Sequence, residues 1–496
     1  MLELVALSPL ALFVILLVGL RQSAAMAGMW SAGLCAGLAI AAFDYPITAP
    51  SVLGPLAEAM FISATIVWII FPALGIYELQ QQTGATQAIG QWLASISAKP
   101  QVQALLIAWF FGLFLEGAAG FGTPIALVAP MLVALGFPPV KSLVMALFGH
   151  AAGVSFGAVG TPIVPLAQAA PLDTGVLSLL ILVPHAVLAA ALVLIVFCLA
   201  RPADPAEVAP RWLIPLATLC FIAPAAALAW FAGPELPTLG GAVIGVALFI
   251  LAVRSRRSPG EDSASGSAGA LALAGMPYLI VLALILLTRL IEPIGQALQG
   301  TVLSWRIGLQ YTGSIAPLHH PGTVLMLALL ASGLVTTERR GALLPALRRA
   351  GIRLPPVALA LVSVLILARV MVHSGMIDTL ARGVSDLLGE FWPIASPLVA
   401  ALGSFVTGSA TTSNIILAEF QVAAALAVGI APLVPLAGQG FGSAIGNIVA
   451  PHNIVAGAAT VGVVGREGEV LKQTLPVCAC YAVLGGVILF IIERIA

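Results

Sequence analysis

Charge is nearly missing from this chain: Asp, Glu, Lys and Arg make up 8% of 496 residues, against roughly a quarter in a soluble globular protein. With 60% hydrophobic residues, water is excluded as the main solvent. A formal net charge of zero says nothing about partners; the basic clusters read as topology signals, and no nucleic-acid partner is expected. The five cysteines, Cys35, Cys198, Cys220, Cys478 and Cys480, stand singly in apolar surroundings. They lack C-x-x-C or His-rich spacing, which argues against a disulfide frame or a zinc site and reads them as small buried hydrophobes. A basic segment ahead of the first apolar stretch is also missing. Glu3 stands there instead, and no cleavage site precedes Arg21, so this stretch is expected to remain as a helix. No H-E-x-x-H pattern supports an intramembrane enzyme.

What the chain does have is apolar runs long enough for the ~20 helical residues that cross a hydrocarbon core. Candidate spans cover 4–20, 24–43, 60–76, 102–118, 176–200, 212–231, 239–253, 270–290, 323–336, 357–372 and 474–492. With two irregular regions, the sequence predicts an all-α polytopic membrane protein of roughly twelve to fourteen transmembrane helices. Arginine concentrates in three connections: Arg201 with Arg211; Arg254, Arg256 and Arg257; and the stretch ending at Arg353. Two spans separate each from the next, so all three can face the cytoplasm. The Ser/Gly-rich run 254–269 reads as a cytoplasmic linker between a first half, 1–253, and a second half, 270–496.

The irregular regions, 114–165 and 405–451, share an order of events. "FLEGAAGFGTPIALVAPMLVALGFPP" and "FVTGSATTSNIILAEFQVAAALAVGIAP" each start on an aromatic, reach a Gly/Ser/Thr cluster, resume an apolar helix and end in a turn with proline. A second interruption follows each, "GAVGTP" from Gly157 and "GNIVAP" from Gly446. Span counting from the basic connections puts the two in opposite orientation. Two inverted repeats containing broken helices or re-entrant hairpins are therefore expected, with half-helix N-termini offering free N–H groups to an anion near the midplane. Gly117, Gly120, Gly122 and Gly408 permit the backbone geometry. Thr123, Thr161, Thr407, Ser409, Thr411, Thr412, Ser413, Asn414, Gln421, Gln439, Asn447 and His452 are the candidate substrate contacts.

Ionisable groups in spans need a reason to be there, at about 2.5–3.5 kcal/mol each on insertion scales. Glu116, at the first break, is the chosen proton-coupling carboxylate, with His150 and Glu419 as further titratable candidates. Arg369 and His373 share a helix face near the end of a span, where they are expected to snorkel to the interface, the alternatives being to meet an anion or a carboxylate such as Asp378. Arg289 and Glu292 look like an i, i+3 pair.

"FLEGAAGFGTP", "LGFPPVKS", "SFGAVGTPI" and "GSFVTGSATTSN", with "GPELP" from Gly233 and "AATVGVVGREGEV" before the last helix, resemble the L-lactate permease family of bacterial carriers over most of the chain. The resemblance implies proton-coupled symport of L-lactate, glycolate and related 2-hydroxy acids across the bacterial inner membrane. It puts the acidic site on Glu116, the loops on 117–124 and 407–414, and a family glutamine on Gln421. The chain departs from it with Ala410 where Asp is frequent, His150 where Asn is frequent, and Glu419 where an uncharged residue is usual. The expected partners are a small carboxylate, a proton and the lipid bilayer, with no cofactor or metal; a homo-oligomer is left open, and a sodium-coupled or dicarboxylate carrier is the alternative.

Overall fold

The computed structural model describes residues 2–20, 22–120, 122–255, 268–308 and 310–495. Arg21, Arg256, Arg257 and most of the expected linker at 254–269 lie outside them. Among the described residues, twelve helices are long and apolar enough to cross a membrane, and a thirteenth arises if Leu433–Val449 and Pro451–Thr460, bent by 44°, are counted as one broken span. The chain is a multi-pass membrane protein. Two expected spans are shorter: the first apolar helix covers Leu2–Leu17 and another covers Pro321–Leu334. Two others are longer, Ala49–Gln82 with 34 residues and Thr337–His373 with 37. One element escaped the all-α expectation: strands Leu303–Ile307 and Tyr311–Ile315 pair antiparallel, with Trp305 opposite Gly313.

The two long helices fix the frame. They pack antiparallel, and ion pairs join them twice: Arg353 Nη1 to Glu78 Oε1 at 2.9 Å, and His373 Nε2 to Glu58 Oε2 at 2.8 Å. Glu58 and Glu78 are twenty residues apart, as are Arg353 and His373, a helical rise of about 30 Å that matches a hydrocarbon core. Arg353 therefore marks one end of this frame and His373 the other. Residues 337–352 carry four arginines; Arg339 is buried and donates to Leu273 O at 2.6 Å, while Arg340, Arg348 and Arg349 are exposed.

Hydrogen bonds assign other segments to these two ends. Gln101 donates to Phe197 O at 3.1 Å and accepts from Ala209 N at 2.7 Å, which joins the Lys99 turn to the Arg201–Arg211 connection. At the opposite end Ser385 donates to Ala427 O at 3.1 Å, and Arg494 pairs with Glu390. Residues 100–134 form a hairpin that dips in from the arginine-rich end, since Met131 returns to pack on Gly90. Residues 392–427 form a hairpin that dips in from the other. The two irregular regions are thus re-entrant and inverted, as expected from span counting.

Each hairpin is followed by a crossing segment that is itself interrupted. In the first, Pro139–His150 passes into a 3-10 stretch, and Ala158 and Val159 then take left-handed conformations at φ 43° and 54°. In the second, Leu433–Gly446 ends in Asn447–Val449 before Pro451–Thr460. Gly438, Gly442 and Gly446 recur every fourth residue, and each touches the Trp392–Thr407 helix, at Ser396, Pro397 and Ala401. Small residues at this spacing let two membrane helices approach closely. Gly446 itself keeps helical dihedrals and serves packing, and the interruption expected over 446–451 falls just after it, at Asn447–Ala450.

The side-chain pairings correct three expectations. Arg369 meets Glu419 at 2.9 Å and His373 meets Glu58, so neither goes to Asp378. Arg289 goes to Glu235 at 2.5 Å rather than to Glu292, which accepts from Gln296 at 2.9 Å. Of the cysteines, Cys35, Cys220 and Cys478 are buried, but Cys198 and Cys480 lie on the exterior.

Arg369 Nε already has no partner in the protein interior. Glu419→Ala would leave the guanidinium without its counter-ion, at a cost of about 3 kcal/mol. Replacing both residues by leucine is expected to recover most of the loss. Thermal unfolding of the purified variants measures both effects, and a double variant no more stable than the single one would contradict the pairing.

Candidate functional site

Both hairpins turn at membrane depth, where a backbone N–H or C=O without a partner costs several kcal/mol unless it meets protein or water. In the first hairpin the helix ending at Ala118 stops, Gly120 and Gly122 adopt φ 57° and 78°, and Thr123–Ala134 begins. In the second, Gly408 at φ 64° separates Trp392–Thr407 from Ala410–Ala427. Only glycine fits at Gly408, because the His452 imidazole fills the space that a Cβ would take. Ser409 caps the new helix by accepting from Thr412 N at 3.2 Å.

The two turns face one cavity of about 480 Å³. Its wall includes Glu116, Gly120, Gly122 and Thr123 from the first hairpin and Gly408, Ser409, Ala410 and Thr411 from the second. Gly157, Ala158 and Pro162 come from the first interrupted crossing, and Asn447, His452 and Asn453 from the second. The helices starting at Thr123, Ala410 and Pro451 all present N-terminal turns here. Their partial positive charges and first-turn N–H groups make the chamber favourable for an anion. Arg353, at the arginine-rich boundary, also lines it, and carries the cavity's wall toward that end.

Glu116 is the carboxylate of this chamber. It is 5% exposed, its Oε1 lies against Gly157, and it forms no ion pair among the described residues. A methyl group at Gly157 would collide with that oxygen. The carboxylate is therefore held between the first hairpin and the first interrupted crossing.

The remaining candidates divide into distinct positions. Asn414 donates to Pro162 O at 2.7 Å and accepts from Gln439 at 3.1 Å; Gln439 also donates to Ser413 at 3.2 Å and accepts from Gln421 at 2.9 Å. This buried chain fastens the second hairpin to the first crossing, and its members do not line the chamber. Thr161 donates to Ala158 O at 2.6 Å, which closes the left-handed turn. Gly117 packs on the backbone at Thr238 and Leu239. Thr412 supplies a backbone donor to the Ser409 cap. Thr407 lines an adjoining cavity that shares His452. His150 is buried behind the wall with its Nδ1 2.6 Å from Ala146 O, and Glu419 is on the Arg369 pair.

Tyr77 and Arg353 were not anticipated as site residues. The only sequence signal was that Arg353 closes a basic stretch, which reads as topology; the Arg353 guanidinium lies 6.0 Å from the Tyr77 ring centre. Ser155 and His185 are a second surprise, with a 3.0 Å hydrogen bond and Tyr481 on the other ring nitrogen at 3.1 Å. Both are fully buried, and they brace three helices.

The comparisons agree with this architecture. The family described as L-lactate permease matches residues 3–496. An L-lactate permease of Streptococcus iniae is 30% identical over 73% of this chain and 77% of its own length. The glycolate permease GlcA of Escherichia coli K12 is 29% identical over 98% of this chain and 94% of its own. The solved YdaH transporter of Alcanivorax borkumensis superposes with a TM-score of 0.54 at 16% identity, covering 95% of this chain and 98% of that one, which is a likeness of fold. From its third residue to its last, this chain belongs to the L-lactate permease family.

Proposed function

We propose that the protein is a proton-coupled symporter of L-lactate, glycolate and related small 2-hydroxy monocarboxylates in the bacterial inner membrane. The observation that carries the reading is a single buried carboxylate, Glu116, facing a chamber into which three helix N-termini point. A monoanion entering this chamber gains the amide dipoles of both hairpins and the hydroxyls of Thr123, Ser409 and Thr411. It also brings negative charge close to Glu116. Two anions at such range disfavour each other, so substrate binding favours protonation of Glu116, and a bound proton in turn favours substrate. One proton with one monoanion is an electroneutral cargo, which suits a low-dielectric path.

The names of the relatives support the substrate class: L-lactate for the Streptococcus iniae protein and glycolate for GlcA. The carboxylate is read at the helix N-termini, while Asn447, His452 and Asn453 offer polar partners to the 2-hydroxyl. With the arginine-rich connections in the cytoplasm, the chamber faces inward in this conformation.

Uptake into proteoliposomes under a proton gradient alone or a sodium gradient alone tests the coupling; accumulation with sodium alone would contradict it. Glu116→Gln is expected to abolish proton-driven accumulation while exchange of internal for external L-lactate persists, and unchanged accumulation would remove Glu116 from the role. Gly157→Ala drives a methyl against the Glu116 carboxylate and is expected to lower driven uptake at least about tenfold, the effect of a displacement worth ~1.4 kcal/mol. Uptake at wild-type rate would contradict that placement.

A further inference from the structure

A second cavity of about 560 Å³ opens at the end opposite the arginine-rich connections. Its wall joins Gln168 and Asp173, the turn from Gly233 to Glu235 within the "GPELP" motif, Arg289, and the loop after the β-hairpin with His319 and His320. The two cavities are separated by the first interrupted crossing. Ala158 and Pro162 line the inner chamber, whereas Ile163 and Val164 line the outer one. The backbone of Pro234 and Glu235 lies directly on Gly160, at φ 77°, with no room for a side chain between them. Glu116 and Glu235 thus sit on opposite sides of one left-handed turn.

At the outer site Arg289 Nη2 donates to Glu235 Oε1 at 2.5 Å and to His319 O at 3.2 Å, while Nη1 lies against the His319 ring. The side chains of Arg289 and Glu235 are 13% and 9% exposed. Glu235 Oε2, turned away from the guanidinium, is buried and has no hydrogen-bond partner among the described residues. A carboxylate with one oxygen satisfied and the other bare is an incomplete pair, and leaving a buried acceptor unmade is costly. The Arg289 donors therefore have an occupant of the same chemical class as a carboxylate substrate, held by half of its capacity.

We propose that the outer cavity is a loading site for the same small carboxylate, in which the substrate carboxylate displaces Glu235 from Arg289. This rests on the symport reading above and adds a second anion site to it. The exchange balances: a proton from the outer solution bonds to a carboxylate oxygen of Glu235, the Glu235–Arg289 hydrogen bond breaks, and the substrate carboxylate accepts from the freed guanidinium. Arg289 stays paired throughout, and the protonated Glu235 gains an O–H donor. Because the Glu235 backbone rests on Gly160, its release acts on the turn that separates the two cavities.

The charged neighbours are few. Burial, then Arg289, pushes the His319 imidazole down to about 4, and burial with Arg289 and His319 does the same to His320. Both stay neutral near pH 7. Asp173 is engaged in capping its helix, accepting from Val176 N at 2.9 Å, and Glu292 accepts from Gln296. Glu235 is the carboxylate that the exchange sets free.

The test uses Ala316→Cys, on the wall of the outer cavity, in full-length protein with the exterior Cys198 and Cys480 replaced by serine. Proteoliposomes are labelled with a membrane-impermeant maleimide, with and without L-lactate, and the ratio of the two rates is read at about pH 6 and about pH 8. L-lactate is expected to slow labelling at least about fivefold at the lower pH and less at the higher. Adding Glu235→Gln should make protection equal at both. Adding Arg289→Gln should abolish it, as should Arg289→Gln with Glu235→Gln, with thermal unfolding of each variant measured to check that the fold survives. Protection that persists without Arg289, or that keeps its pH dependence in Glu235→Gln, would overturn the loading site. Proton-driven uptake by the parent protein without any protection would overturn it while the symport reading stands; absence of both would overturn both.

Discussion

A peptide group inside a bilayer must be bonded to protein or bathed in water, and among the described residues the two hairpins and the two crossings that follow them each carry a break. The consequences can be followed outward from each break. Left-handed glycines end the first half of each hairpin, so the second half starts with free N–H groups at membrane depth. Those groups need a wet or occupied space, and the two hairpins, entering from opposite ends, share one. The rest of the fold holds that space open. The Asn414–Gln439–Gln421 chain ties the second hairpin to the first crossing, and the glycine stripe at Gly438, Gly442 and Gly446 draws the second crossing against its hairpin.

Around this chamber the acidic groups are assigned by what stands opposite them. Glu58, Glu78 and Glu419 each face a cationic or titratable partner on a long helix and work as fasteners. Glu116 faces backbone and the chamber. Glu235 shares its arginine only through one oxygen. The latter two flank the Ala158–Val159 turn, whose left-handed dihedrals in residues with a Cβ are a conformation that isolated chains avoid. Such a turn persists because its neighbours hold it, Thr161 through Ala158 O and the Pro234–Glu235 backbone through contact with Gly160. A change at either carboxylate therefore reaches the same few dihedrals.

The sequence made the architecture legible where the signal was local. Apolar length gave the spans, the repeated Gly–hydroxyl–Pro order gave the hairpins, and counting spans from the basic connections gave their inversion. It also marked Glu116, because a carboxylate next to a helix break has few bland explanations. What stayed hidden depended on distant pairs. Arg369 and His373 were visible as a helical face, but Glu419 and Glu58 lie far away in the chain and no spacing rule connects them. The same holds for Asn414 and Gln439, polar residues that look like ligand contacts in sequence and prove to bond each other. The β-hairpin at 303–315 was missed because its short, mixed strands lie between two apolar helices that dominate any hydropathy reading.

The ladder formed by the helices Ala49–Gln82 and Thr337–His373 has rungs at Glu78–Arg353 and Glu58–His373, a helical rise of about 30 Å apart, close to the thickness of a hydrocarbon core. A pair of rods pinned this way cannot slide lengthwise past each other without parting both rungs. They act as a fixed gauge of lipid thickness, and a bilayer with shorter acyl chains would expose apolar surface on them before it could shorten the distance between the rungs.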